Sequence, residues 1–176
     1  MGGWFCFRAA AFEPRIKRVI ASSVAYDYIK NLNIIFQKLH ILFAKYLKKI
    51  SNKMILNSIK KGQGIQAWQS FQMMYITKKE VPLEAFEEMV FNLNEKNLHS
   101  KSVKQDVLIL TGRNDHFIPF KAHKMQVRAL TNAKSVTAKV FKNHTHADNH
   151  CQIGNIGLAL EVMVNWIKEI SQFNDQ

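Results

Sequence analysis

The chain has 176 residues, with 25 Lys and Arg against 13 Asp and Glu, a net charge of +12 and a pI near 9.8. With 47% apolar and 11% aromatic residues and only three prolines, it has enough apolar side chain for a buried core, which excludes a disordered chain. Its length fits one domain or part of a larger one. The two cysteines, Cys6 and Cys151, sit far apart with no paired spacing, which excludes a disulfide scaffold and a CxxC zinc module. A reducing, cytoplasmic setting is the expectation.

No stretch reaches 18 uncharged apolar residues, since the most apolar run, residues 34–47, is broken by Gln37, Lys38, His40 and Lys45; no membrane-spanning helix is expected. The opening Met1-Gly2-Gly3-Trp4-Phe5-Cys6 lacks the basic and apolar regions of a signal peptide. It also places Cys6 where a myristoylation motif takes Ser or Thr.

Trp4 to Phe12 reads as a short Ala-rich helix ended by Glu13-Pro14, because proline cannot continue a helix and disfavours helical backbone before it. Lys17 to Ser23 follows as a short buried strand. From Tyr26 to about Ser100 the pattern is helical, with Leu32, Ile35, Leu39, Leu42, Phe43, Tyr46, Leu47 and Ile50 three and four apart; Gly62 and Gly64 break it, and Pro82 opens a helix through Met89 and Leu93. The strand signal returns at Val107 to Thr111 and ends at the turn Gly112-Arg113-Asn114-Asp115. A helix from Lys121 to Leu130, a strand from Ser135 to Phe141, a polar loop and an amphipathic helix from Ile156 to about Ile170 complete the chain. Alternating strands and helices predict an α/β fold with a parallel sheet.

Between Tyr28 and Lys79 stand ten lysines, no arginine and no acidic residue. An amphipathic surface for an anionic membrane or for nucleic acid is one reading. A solvated helical face is the other, and the excess of Lys over Arg favours it, because Arg makes the bidentate phosphate and guanine contacts.

Three strings carry a more specific signal: Met1-Gly2-Gly3-Trp4 with Arg8 to Ile16, Leu110-Thr111-Gly112-Arg113-Asn114-Asp115-His116-Phe117-Ile118-Pro119, and Ala147-Asp148-Asn149-His150-Cys151-Gln152-Ile153-Gly154-Asn155. Together they resemble the C-terminal part of an α/β-hydrolase of the esterase and acyl-peptidase type, in the branch similar to pseudooxynicotine hydrolase and the FrsA-like proteins. The likeness covers essentially the whole chain. It implies a partial hydrolase core at residues 1–25 and 101–176, with three parallel strands, and a helical cap insertion at residues 26–100. It also implies Asp115 as the triad acid, His150 as the general base and then acid, and the backbone N–H of Met1 as an oxyanion donor.

The elbow is where the chain departs from the pattern: Met1-Gly2-Gly3 looks like the second half of a Gly-x-Ser-Met-Gly-Gly turn cut just after its serine, and no Gly-x-Ser-x-Gly or Gly-x-Cys-x-Gly occurs anywhere. The expected activity is hydrolysis of an ester, amide or activated carbon–carbon bond, absent from these residues alone. An upstream segment or a separate N-terminal half would restore it, and without the elbow strand the open edge of the first strand favours aggregation. Ser22 and Ser23 end a strand beside the elbow position and are expected not to replace the serine. Cys151, next to His150, reads as a packing or cavity-lining group. His144, His146, His150 and Cys151 match no standard zinc spacing, so no metal or other cofactor is expected. The alternative function is a basic interaction module using the lysine-rich helices on an anionic partner.

Overall fold

The computed structural model describes residues 1–31, 34, 35, 38, 39, 42, 46–62 and 64–174. The chain divides into two compact units, Met1–Asp27 with Glu95–Gln176, and Tyr28–Asn94.

The first unit is α/β. Helix α1 (Gly2–Phe12) buries Trp4, Phe7 and Ala10, three residues apart and so on one helical face. It stops at Glu13, whose backbone is extended ahead of Pro14. Arg8 lies over the Trp4 and Phe12 rings and donates to the Asn97 carbonyl in the short helix Glu95–Leu98. Strands β1 (Arg18–Ser22), β2 (Asp106–Gly112) and β3 (Ser135–Phe141) form a parallel sheet in that order, with Arg18 opposite Asp106 and Asp106 opposite Ser135.

Position in the sheet explains the burial of each strand. All seven residues of central β2 are buried, which is why its Val-Leu-Ile-Leu run shows no alternation. Edge strand β3 is half-exposed over most of its length. Leu108 and Leu110 join Phe141, Ala147, Ala159 and Trp166 in one core, against Ile20 and residues Leu158, Val162, Met163 and Ile170 of the last helix (Ile156–Asn174). Trp166 donates its indole N–H to Thr137 of β3 at 3.0 Å. The alternate residues of β2 take the opposite face, where Thr111 meets the buried His123 of the helix Phe120–Ala129 at 2.8 Å. Phe120 stacks on His123 and carries the Arg113 guanidinium on its ring. Burial pushes the His123 imidazole below its ordinary value.

The second unit is helical: Tyr28–Asn31, Lys48–Lys60, Gly64–Thr77 and Pro82–Asn92. Pro82 takes the first helical position and Asn52 caps that helix, accepting the Leu83 N–H at 2.9 Å. Gly62 makes the preceding turn with φ +60°, a conformation that disfavours a side chain. Leu39, Ser51, Ile55, Ser70, Met73, Pro82, Leu83 and Phe86 line a cavity of about 270 Å³.

Several expectations shift. Helix begins at Tyr28 rather than Tyr26, since Val24 to Asp27 hold a buried turn after β1, and the last helix runs on to Asn174. Leu32 and Phe43 of the expected helical repeat lie outside the described residues, while Ile35, Leu39, Leu42, Tyr46 and Ile50 are exposed. Helical spacing does not say which face finds a partner.

Leu108→Ala, at the centre of β2, is expected to lower unfolding stability by about 2–5 kcal/mol. Leu160→Ala, on the exposed side of the last helix, should change it by less than about 0.5 kcal/mol. Urea unfolding midpoints of the two variants against the parent check this.

Candidate functional site

The site is built at the carboxyl ends of the strands, where open parallel sheets place their ligands. Beyond β2 the chain turns at Asn114 and Asp115. The Asp115 carboxylate Oδ1 accepts the backbone N–H groups of Phe117 at 2.8 Å and Ile118 at 2.9 Å. This is the local turn that aspartate forms after a strand, and here it also aims the carboxylate. His150 Nδ1 lies 3.0 Å from Oδ1 and 2.9 Å from Oδ2, with the Asp115 side chain fully shielded from solvent and that of His150 32% exposed.

Since an ionised carboxylate only accepts, Nδ1 must carry the proton, which leaves the Nε2 lone pair of a neutral ring available for a proton. Burial by itself would raise the Asp115 value. The Ile118 and Phe117 amides, the Ser23 hydroxyl and His150 together outweigh it, so the carboxyl is held below its ordinary 3.8. Phe117 packs edge-on against the His150 ring with centroids 4.9 Å apart, and His116 stands 6.1 Å away.

Two glycines let the histidine loop reach the acid. A Cβ on Gly112 would overlap the Asp148 and Asn149 carbonyls, and one on Gly154 would overlap the His146 carbonyl and approach Asn149 Nδ2 at 2.6 Å. Asn114 then ties the two loops together, its backbone N–H donating to the Asp148 carbonyl at 2.8 Å and its side chain to the Asp148 carboxylate at 2.6 Å. Asn155 caps the last helix, accepting the Leu158 N–H at 3.2 Å, and donates back to the Thr145 carbonyl at 3.0 Å.

The end of β1 closes the third side. Ser23, with φ +53°, accepts the Cys151 N–H at 3.3 Å, and its hydroxyl donates to Asp115. Ser22 donates to Gln152 Oε1 at 2.6 Å, while the buried Gln152 Nε2 has no partner among the described residues. Cys151 and Gln152 also have positive φ, 52° and 56°. Three non-glycine residues in contact with one another thus hold left-handed backbone beside the acid–histidine pair, the kind of strain that concentrates at functional sites.

Of the residues expected at the site, Asp115 and His150 are brought together. Met1 stands at the N-cap of α1, its carbonyl accepting the Trp4 and Phe5 N–H groups. A Cβ on Gly3 would lie 3.3 Å from the Ser22 carbonyl, so this end of α1 abuts the end of β1. Ser22 and Ser23 bond Gln152 and Asp115 rather than Nε2, in the place of supports and not of a nucleophile. Cys151, expected as a packing or cavity-lining group, is exposed, while Gln152, one residue on, is fully buried. Among the described residues no group of three or more His, Cys, Asp and Glu converges as a metal site.

Sequence reading missed the support from Ser23 and the burial of Gln152. Only the polar Ser22-Ser23 turn at the strand end hinted at the former, and a lone glutamine in a polar loop carries no burial signal.

Because the folded Asp115 value is depressed, its stabilising contribution is complete above pH 3.8 and is lost as pH falls through the lower folded value. Asp115→Asn should flatten the acid limb of a stability profile measured by urea unfolding from about pH 5 down to pH 2. Gly112→Ala should cost about 1–3 kcal/mol or more, since backbone atoms must give way. It should also release His150 from Asp115, visible as loss of the hydrogen-bonded imidazole N–H resonance.

No family model, curated protein or solved structure compared with the chain matches it.

Proposed function

We propose that these residues supply the acid and the histidine of a serine-hydrolase-type triad on an α/β-hydrolase core, with residues 26–100 as its helical cap. The nucleophile comes from a Gly-x-Ser segment outside the 176 residues, and the substrate is a small molecule with an ester, amide or activated carbon–carbon bond. The single observation that carries the reading is the shielded Asp115 carboxylate gripping His150 Nδ1 with both oxygens, at the carboxyl ends of parallel strands.

In this mechanism His150 Nε2 takes the proton of the attacking hydroxyl and later delivers it to the leaving group. Asp115 holds the ring in the Nδ1–H tautomer and stabilises the imidazolium that forms. Once an upstream segment makes the Met1 nitrogen an amide, its backbone N–H serves as a donor to the developing oxyanion. Among the described residues no hydroxyl or thiol hydrogen-bonds His150 Nε2, in keeping with a nucleophile supplied from elsewhere.

The test is the intact mass of the endogenous protein and its labelling by a fluorophosphonate. A product heavier than 20.4 kDa that takes the label, with labelling slowed at least about 10³-fold by His150→Ala, is the expected result. The 176-residue chain alone should hydrolyse p-nitrophenyl butyrate no faster than its His150→Ala variant. An endogenous product of 20.4 kDa that takes no phosphonate and copurifies with no phosphonate-labelled chain overturns the proposal.

A further inference from the structure

In the helical unit, the helix Gly64–Thr77 has two apolar sides. Ala67 is buried, and Ser70 and Met73 line the cavity shared with Ser51 and Ile55 of the helix Lys48–Lys60 and with Leu83 and Phe86. Trp68, Phe71 and Tyr75 form a second stripe, spaced three and four apart, and are 61%, 57% and 64% exposed. On the helix Lys48–Lys60, Ile50 and Met54 are likewise exposed. On these two helices and at their ends Lys49, Lys53, Lys60, Lys61, Lys78 and Lys79 are all exposed, and the Lys78 ammonium lies 4.2 Å over the Tyr75 ring. The acidic residues of the unit, Glu80, Glu84, Glu87 and Glu88, are confined to residues 80–88.

We propose that this aromatic and lysine-rich face docks on an anionic lipid surface. Trp68, Phe71 and Tyr75 enter the headgroup layer and the surrounding lysines stand against the lipid phosphates and carboxylates. Tryptophan and tyrosine favour that layer because each joins an apolar ring to one polar group. The preference for Lys over Arg weighs against nucleic acid, whose phosphates and guanines are read by the guanidinium fork. A lipid surface needs only diffuse positive charge close by. The excess of Lys over Arg favoured a solvated helical face, and it is the exposed aromatic stripe that turns the reading toward a lipid surface. No helix among the described residues is long and apolar enough to cross a membrane, so the unit lies on the surface rather than spanning it. The inference does not depend on the acid–histidine pair.

The experiment uses the full chain with vesicles of phosphatidylcholine and phosphatidylserine, and with phosphatidylcholine alone. Trp4 and Trp166 are buried, so a change in tryptophan emission reports on Trp68. Cosedimentation with the mixed vesicles and a blue shift, both absent with phosphatidylcholine and weakened about tenfold or more by added salt, are expected. Trp68→Ala/Phe71→Ala/Tyr75→Ala, all at exposed positions, should abolish both while leaving the circular dichroism unchanged. Lys→Gln at 49, 53, 60 and 61 should weaken binding without touching the aromatic stripe. No cosedimentation, equal binding to neutral vesicles, or full binding by the triple variant overturns the proposal. So does a preference for duplex DNA that survives the triple substitution, or a Trp68 emission already blue-shifted in a vesicle-free dimer.

Discussion

The Asp115 carboxylate is shielded from solvent, and a shielded charge must be matched by donors or it destabilises the fold. Its donors come from three parts of the chain: the Phe117 and Ile118 amides from its own turn, the Ser23 hydroxyl from the end of β1, and His150 from the loop after β3. One buried charge therefore holds together the ends of segments that the sequence separates by more than a hundred residues. The same contacts that satisfy the carboxylate set the tautomer and orientation of the histidine. Structural and chemical demands on this group coincide, so the turn-forming and catalytic readings of Asp115 do not compete.

That convergence requires backbone to approach backbone, and this is where the glycines and the left-handed residues enter. Gly112 and Gly154 remove the side chains that would keep the loops apart. Ser23, Cys151 and Gln152 adopt positive φ because their neighbours, rather than their own preferences, dictate the path. Gln152 illustrates the balance. One end of its amide is paired with Ser22 and the other is buried without a partner among the described residues.

Much of the α/β unit is legible in the sequence because its signals are local. Val107 to Leu110 is short, carries β-branched Val107 and Ile109 and runs into the Gly112-Arg113-Asn114-Asp115 turn, which marks a strand buried on both faces; Pro14 and Pro82 mark a helix end and a helix start, and Ser135 to Phe141 has the length and branching of a strand. The pairing of Asp115 with His150 is legible only through the resemblance of whole strings, since neither residue alone separates a catalytic group from a turn aspartate or a surface histidine. Positive φ at Ser23 and Cys151 arises from tertiary contacts and leaves no local trace. The helical unit is the reverse case. Periodicity marks Trp68, Phe71 and Tyr75 as one stripe, but a stripe has the same spacing whether it faces a core, a partner or water.

The helical unit lies between β1 and β2, neighbours in the sheet that are separated in the chain by residues 23–105, whereas β2 and β3 are joined by residues 113–134 alone. Closing the longer connection costs more chain entropy and makes β1 the slow partner in assembly. The unit shortens that search when it forms: the Tyr28 N–H donates to the Leu93 carbonyl at 3.0 Å, and just outside it the Glu95 N–H donates to the Asp27 carboxylate at 3.3 Å. Entry and exit of the insertion are thereby pinned side by side. Once the helices have formed, β1 and β2 behave as if joined by a short loop, and the insertion can change length or sequence without altering the register of the sheet that holds Asp115.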